Sequence, residues 1–150
     1  MASHLVIGVG SHFCYIRGLL LCSGCHTISA MASEPLVVER YMEGSEGRGV
    51  LRLRGPLTME NLPPFQNAVR REDAPTMILD LTEVPYIDSA GLGSLVSSYI
   101  SHQKTGRRLV LTGVNDRVLK LFEITKVESL FLIFPNVWDA IDALSSSGSA

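Results

Sequence analysis

The chain reads as an α/β protein: one domain in which a mixed β-sheet is covered by amphipathic helices. Three observations predict this. From residue 36 onward, strand-like apolar runs alternate with segments whose apolar residues recur at helical spacing. The central run, Met77-Ile78-Leu79-Asp80-Leu81, is apolar nearly throughout, as in a strand buried on both faces. No repeat or low-complexity linker divides the segment, and 150 residues suffice for one sizeable core.

Taken in order, Leu36–Tyr41 is a first strand and residues 45–49 a turn. Val50-Leu51-Arg52-Leu53-Arg54 alternates apolar with basic residues, as in a strand with one wet face, and Gly55-Pro56 ends it. Thr58 is placed to cap a helix over 59–71, with Asn61 where a capping box wants Glu or Gln. That helix gathers Leu62, Phe65, Ala68 and Val69 on one side and tolerates Pro63 and Pro64 near its first turn. Thr76–Leu81 is the central strand. A helix starting at Asp88 carries Leu92, Leu95, Val96, Tyr99 and Ile100 and runs to about Lys104, with Gly106 as its stop. Arg108–Thr112 is the next strand. Asp116 caps a helix with Val118, Leu121, Phe122 and Thr125 on one face. Leu130–Phe134 is the last strand. Val137, Trp138, Ile141 and Leu144 mark a closing helix, and 145–150 is a frayed tail.

Residues 1–35 read as an N-terminal extension, disordered or a misassigned start. The first thirty residues are rich in Gly, Ser, Cys and His, contain no acidic residue, and hold Arg17 as their one arginine. Met31-Ala32-Ser33 repeats the opening Met1-Ala2-Ser3. A secretory signal would need a basic start and an unbroken apolar core; here the core from Ile16 to Leu21 is short and broken by Arg17 and Gly18. Cys22-Ser23-Gly24-Cys25-His26 matches the C-x-x-C-H spacing of covalent haem attachment, with His26 as axial ligand. Export and a packed haem pocket are missing from its context, and a tetrahedral zinc site wants four ligands. The expectation is no cofactor and no metal.

The remaining composition narrows the function classes. The sequence carries 46% hydrophobic and 19% charged residues and a formal net charge of −2. Arg70-Arg71 and Arg107-Arg108 are short, separated pairs that suit a helix end and a strand start rather than a nucleic-acid footprint. No apolar run approaches the ~20 residues that span a membrane. The three cysteines all precede residue 30, so the folded region uses no disulfide, which fits a cytoplasmic setting.

The most informative segment is Asp88-Ser89-Ala90-Gly91-Leu92-Gly93. It joins a buried strand to a helix and puts a serine hydroxyl in the helix's first turn. There the unpaired N–H groups and the positive end of the helix dipole favour negative charge. Asp88 as N-cap would accept from the N–H of Ala90 or Gly91 and present Ser89 outward. A phosphate on Ser89 would be tolerated. Gly91 and Gly93 each cost about 1 kcal/mol inside a helix relative to Ala, so each needs a local reason. Two reasons compete: close approach of a partner, or close packing of the helix on the sheet.

A hydrolytic serine is excluded on pattern and geometry. The G-x-S-x-G elbow is absent, since position 87 is Ile. His102 is the one histidine of the folded region, and it lies 13 residues along the same helix, roughly 20 Å away at ~1.5 Å per residue. It reads as a solvated surface residue. Asp80 reads as a structural hydrogen-bond partner rather than a ligand of a partner's magnesium-nucleotide, because no second metal ligand is evident.

This order of elements resembles the STAS domain of bacterial anti-sigma factor antagonists, over about residues 36–144. The resemblance is carried by Leu51-Arg52-Leu53-Arg54-Gly55-Pro56-Leu57, by Val84-Pro85-Tyr86-Ile87 leading into the Asp88–Gly93 segment, and by Val118-Leu119-Lys120-Leu121-Phe122 with Leu130-Phe131. It implies a non-enzymatic, cytoplasmic binding protein with a STAS-like fold. Ser89, directly after Asp88, falls on the serine that a cognate kinase phosphorylates. Ala90 stands where many members have a second hydroxyl, leaving one acceptor. Unphosphorylated members bind an anti-sigma factor that is itself the serine kinase, and so free its sigma factor; phosphorylated members let go, and a PP2C-type serine phosphatase reverses the mark. Residues 88–93 are the implied partner-binding surface. The alternative is a constitutive STAS subunit of an ABC-type membrane transport complex, docking through the same loop without phosphorylation.

Overall fold

A computed structural model describes residues 13–16, 19–22, 34–41 and 47–147. The chain divides into two units, 1–34 and 35–150. In the first, β1 (Phe13–Ile16) pairs antiparallel with β2 (Leu19–Cys22), Phe13 opposite Cys22 and Ile16 opposite Leu19. Two runs of β-favouring apolar residues this close in sequence form a local ladder. Cys25 and His26, which would complete the haem-like pattern with Cys22, lie outside the described residues.

The second unit holds the expected alternation: β3 (Val37–Tyr41), β4 (Arg48–Arg54), α1 (Leu62–Arg71), β5 (Thr76–Glu83), α2 (Ser89–Lys104), β6 (Arg108–Thr112), α3 (Asp116–Thr125), β7 (Leu132–Phe134) and α4 (Val137–Ser146). The sheet order is β3-β4-β5-β6-β7. β3 runs antiparallel to β4, and the other three pairs are parallel, so the sheet is mixed as expected. Each parallel pair is joined by a helix.

Strand alternation gives the sheet two different faces. Leu51, Leu53, Met77, Leu79, Leu109 and Leu111 point to one side and form the larger core with Phe65, Leu92, Leu95, Val118 and Phe122 of α1, α2 and α3. Val50, Ile78 and Val110 point to the other and meet α4 through Val137, Ala140 and Leu144, with Tyr41 and Phe134 packed beside them. Beyond that apolar row, on the same face, runs a polar one: Arg52 opposite Asp80, and Asp80 opposite Thr112.

Several local expectations are corrected. β4 begins at Arg48, so Arg48 and Gly49 belong to the ladder rather than to a turn; residues 45 and 46 lie outside the described residues. A Cβ at Gly49 would sit 2.5 Å from the carboxyl carbon of buried Glu72, so a larger residue there would displace that carboxylate. A 3-10 turn at Met59–Asn61 precedes α1. Asn115, not Asp116, caps α3: its backbone is extended and its side chain accepts from Val118 N. Leu130 closes a second 3-10 turn, so the last strand starts at Leu132. In α4 the inward stripe is Val137, Ala140 and Leu144, and Trp138, one residue out of phase, is 65% exposed. α2 buries Leu95, Ser98 and His102 at i, i+3 and i+7, so His102 is in the core at 1% exposure instead of on the surface. Its Nδ1 donates to Ser98 O at 2.8 Å, and its Nε2 has no partner among the described residues.

Candidate functional site: the α2 N-terminus

After β5 the chain turns through Val84-Pro85-Tyr86-Ile87 and enters α2 at Ser89. The turn is pinned to the segment after β4. Leu57 N donates to Tyr86 O, Asp88 N donates to Leu57 O, both at 3.2 Å, and Leu57 pairs with Ile87 as a parallel bridge. Asp88 is extended (φ −93°, ψ −179°), as a cap must be. Its Oδ1 accepts from Gly91 N at 2.7 Å, fulfilling one of the two expected bonds.

Its other oxygen does something the local sequence does not announce. Asp88 Oδ2 accepts from Met59 N at 3.0 Å, the first amide of the 3-10 turn that leads into α1. One carboxylate therefore satisfies the starts of two helices. Thr58, expected to cap the first of them, makes no capping bond, and its buried Oγ1 has no partner among the described residues. Asp88 wins because a carboxylate is the stronger acceptor for a helix-start N–H.

The six residues of the segment part ways around this clamp. Ser89 is exposed, while Asp88 and Ala90 are half-buried. Gly91 is buried: a Cβ there would lie 2.2 Å from Leu57 O and 2.9 Å from Ile87 Cγ2. Its reason is close backbone packing within the domain. Leu92 points into the core. Gly93 is exposed, and a Cβ would meet nothing within 4 Å. The accessible surface is thus Asp88, Ser89, Ala90 and Gly93, with Met59 beside it, 73% exposed. Ile87 leads into a neighbouring cavity of about 370 Å³, lined also by Tyr86, Arg117, Lys120 and Ile124, with the Arg117 guanidinium 5.5 Å from the Tyr86 ring centroid.

Asp80 stands apart from this surface. It is buried, with Oδ2 accepting from Arg52 Nε at 3.0 Å and Oδ1 from Thr82 N and Thr82 Oγ1 at 3.1 and 2.6 Å. Those bonds give it the structural role. The Asp80 hydrogen bond raises the Arg52 pKa above its ordinary value, against the opposing effect of burial. At the far end of the sheet, Glu72 is held below the usual carboxylate range chiefly by its hydrogen bond from Arg40, opposed by burial.

A family model described as the STAS domain matches residues 40–140, more than half of the sequence, and the chain belongs to that family. Within it, the chain is similar to an anti-sigma-B factor antagonist of Listeria monocytogenes. The two are 46% identical over 55 residues, 37% of this chain and 48% of the relative. The chain thus spans about half the length of the Listeria relatives it matches. A crystal structure of an anti-sigma factor antagonist from Mycobacterium paratuberculosis superposes with a TM-score of 0.63 at 21% identity, over 72% of this chain and 92% of that one. A sulfate transporter family protein from Wolinella succinogenes gives 0.64 at 22% identity, over 73% and 93%. At these identities both structures show a shared fold.

Proposed function

We propose that this protein is an anti-sigma factor antagonist switched by phosphorylation of Ser89. Unphosphorylated, it binds an anti-sigma factor with serine-kinase activity and so frees a sigma factor. The modified form dissociates, and a PP2C-type phosphatase restores it. The observation that carries the reading is the exposed Ser89 at the first position of α2, on a turn that Asp88 clamps from both sides. The similarity to anti-sigma-B factor antagonists supports the choice of partner. Among the described residues no helix is long and apolar enough to cross a membrane, and a cytoplasmic location accords with such a partner.

The physical logic is local. Phosphate adds about −1.5 to −2 charges. At a helix N-terminus that charge is offset by about 0.3–1 kcal/mol, so the domain stays folded. Release comes from bulk and charge placed in the interface, next to the Asp88 carboxylate. Ala90 carries no hydroxyl, so Ser89 is the loop's sole acceptor. The expected test result is phosphate on Ser89 by mass spectrometry after incubation with the cognate kinase and ATP, lost in Ser89→Ala. Label retained by that variant refutes the assignment. Ser89→Glu should no longer bind the anti-sigma factor, whereas the transport-subunit alternative expects binding that phosphorylation leaves unchanged.

A further inference from the structure

On the sheet face opposite α2, the polar row beyond α4 forms one wall of a cavity of about 220 Å³. Tyr41, Arg52, Asp80, Thr82, Asn136 and Trp138 line it. It sits toward the carboxyl ends of parallel strands β4 and β5, beside the first turn of α4. We propose that this cavity is a binding site for a small, uncharged, planar heterocycle carrying carbonyl or ring-nitrogen acceptors along one edge.

Four features lead to that ligand class. The first is an unused donor set. Arg52 has five N–H groups; Nε–H goes to Asp80 and one Nη2–H to the Tyr41 hydroxyl, which leaves three without an acceptor among the described residues. The Trp138 indole N–H likewise has none. The second is the scarcity of acceptors. Both Asp80 oxygens are engaged by Arg52 and Thr82, and both ends of the Asn136 amide are turned to Asp139. A ligand must bring its own acceptors.

The third feature is charge. The Arg52 guanidinium is matched by the Asp80 carboxylate at 3.0 Å, so the pair leaves no net positive charge to hold an anion. A neutral ligand is favoured. The fourth is shape. Trp138 leaves 65% of its surface open at the cavity's edge, a flat apolar face of the kind on which rings stack. The volume equals about seven waters at ~30 Å³ each, room for one or two fused rings.

Trp138 is the chain's one tryptophan, so its emission reports on this cavity alone. Caffeine and uracil serve as neutral acceptor-bearing rings, and benzoate and inorganic phosphate as anions. Excited at the red edge of the indole band, the full chain should show saturable quenching by caffeine or uracil with Kd ~1 mM or tighter, and none by the anions. Trp138→Ala, followed by calorimetry, should lose binding at least tenfold while melting like the parent. Arg52→Lys keeps a cation for Asp80 but loses the planar fork; it should lose binding to a similar extent. No response to either ring, tighter binding of benzoate or phosphate, or full binding by Trp138→Ala would each overturn the proposal.

Discussion

Replacing Gly91 and Gly93 separately by alanine should have opposite effects on stability, although the two lie two residues apart in one helix. At Gly91 the new methyl would sit 2.2 Å from Leu57 O and 2.9 Å from Ile87 Cγ2. The backbone atom cannot swing aside, so the Leu57–Ile87 bridge must open or α2 must shift. Overpacking of this kind costs about 1–3 kcal/mol. Weakening the two bridging bonds, Leu57 N to Tyr86 O and Asp88 N to Leu57 O, adds about 1 kcal/mol each. The helix-propensity gain of alanine returns about 1 kcal/mol. The net is a loss of about 2–4 kcal/mol. At Gly93 nothing lies within 4 Å, so only the propensity gain remains, about 0.4–1 kcal/mol of stabilisation. For a domain of this size 1 kcal/mol moves Tm by about 3–5 °C. Melting followed by circular dichroism should therefore show Gly91→Ala lower by ~10 °C and Gly93→Ala slightly higher. If Gly91→Ala melts with the parent, the tight contact with Leu57 is not what keeps alanine out. A bulky Gly93→Arg that melts normally yet binds the anti-sigma factor as tightly as the parent would remove Gly93 from the interface.

Four further outcomes are expected. Asp88→Asn keeps one acceptor but faces the second amide with a donor, so urea unfolding should show a loss of about 1–2 kcal/mol, with Asp88→Ala losing more. Ser89→Glu should melt no lower than the parent, since the dipole favours its charge; a fall of several degrees would mean that modification acts by unfolding. Glu72 has a folded pKa below its unfolded value near ~4.3, so its contribution is complete above that pH and disappears as pH falls through the folded pKa. Stability measured from pH 5 downward should accordingly fall less steeply in Glu72→Gln than in the parent. A chain beginning at Met31 should melt and bind its partner as the full chain does; lost binding, or covalent haem in the full chain, would give Cys22, Cys25 and His26 a function.

The parts legible in sequence were those governed by local period and local chemistry. Residues 77–81 read as a buried strand because the run is apolar on both parities, and Ser89 read as a helix-start hydroxyl because Asp88 precedes it and Gly106 ends the pattern. The misses share a cause: a contact distant in sequence decided between locally equivalent options. Thr58 and Asp88 are both good caps for the 59–61 turn, and only the bridge at Leu57 and Ile87 brings Asp88 within reach. Gly91 and Gly93 are identical letters, separated only by what lies across from each. Trp138 outranks Ala140 in hydrophobicity, yet the phase set by Val137 and Leu144 puts alanine inward. His102 occupies an inward phase that a count of apolar residues passes over because Ser98 and His102 are polar.

A single carboxylate holding two helix starts makes the region a common anchor rather than two adjoining parts. The turn around Met59 and the first turn of α2 cannot drift independently while both amides lean on Asp88. Damage at that one oxygen pair is therefore felt at two sites about thirty positions apart in sequence, and substitutions near Thr58 and near Ser89 should be energetically coupled rather than additive. The arrangement also leaves Thr58 with no capping bond to make, although it stands at the cap position of that turn.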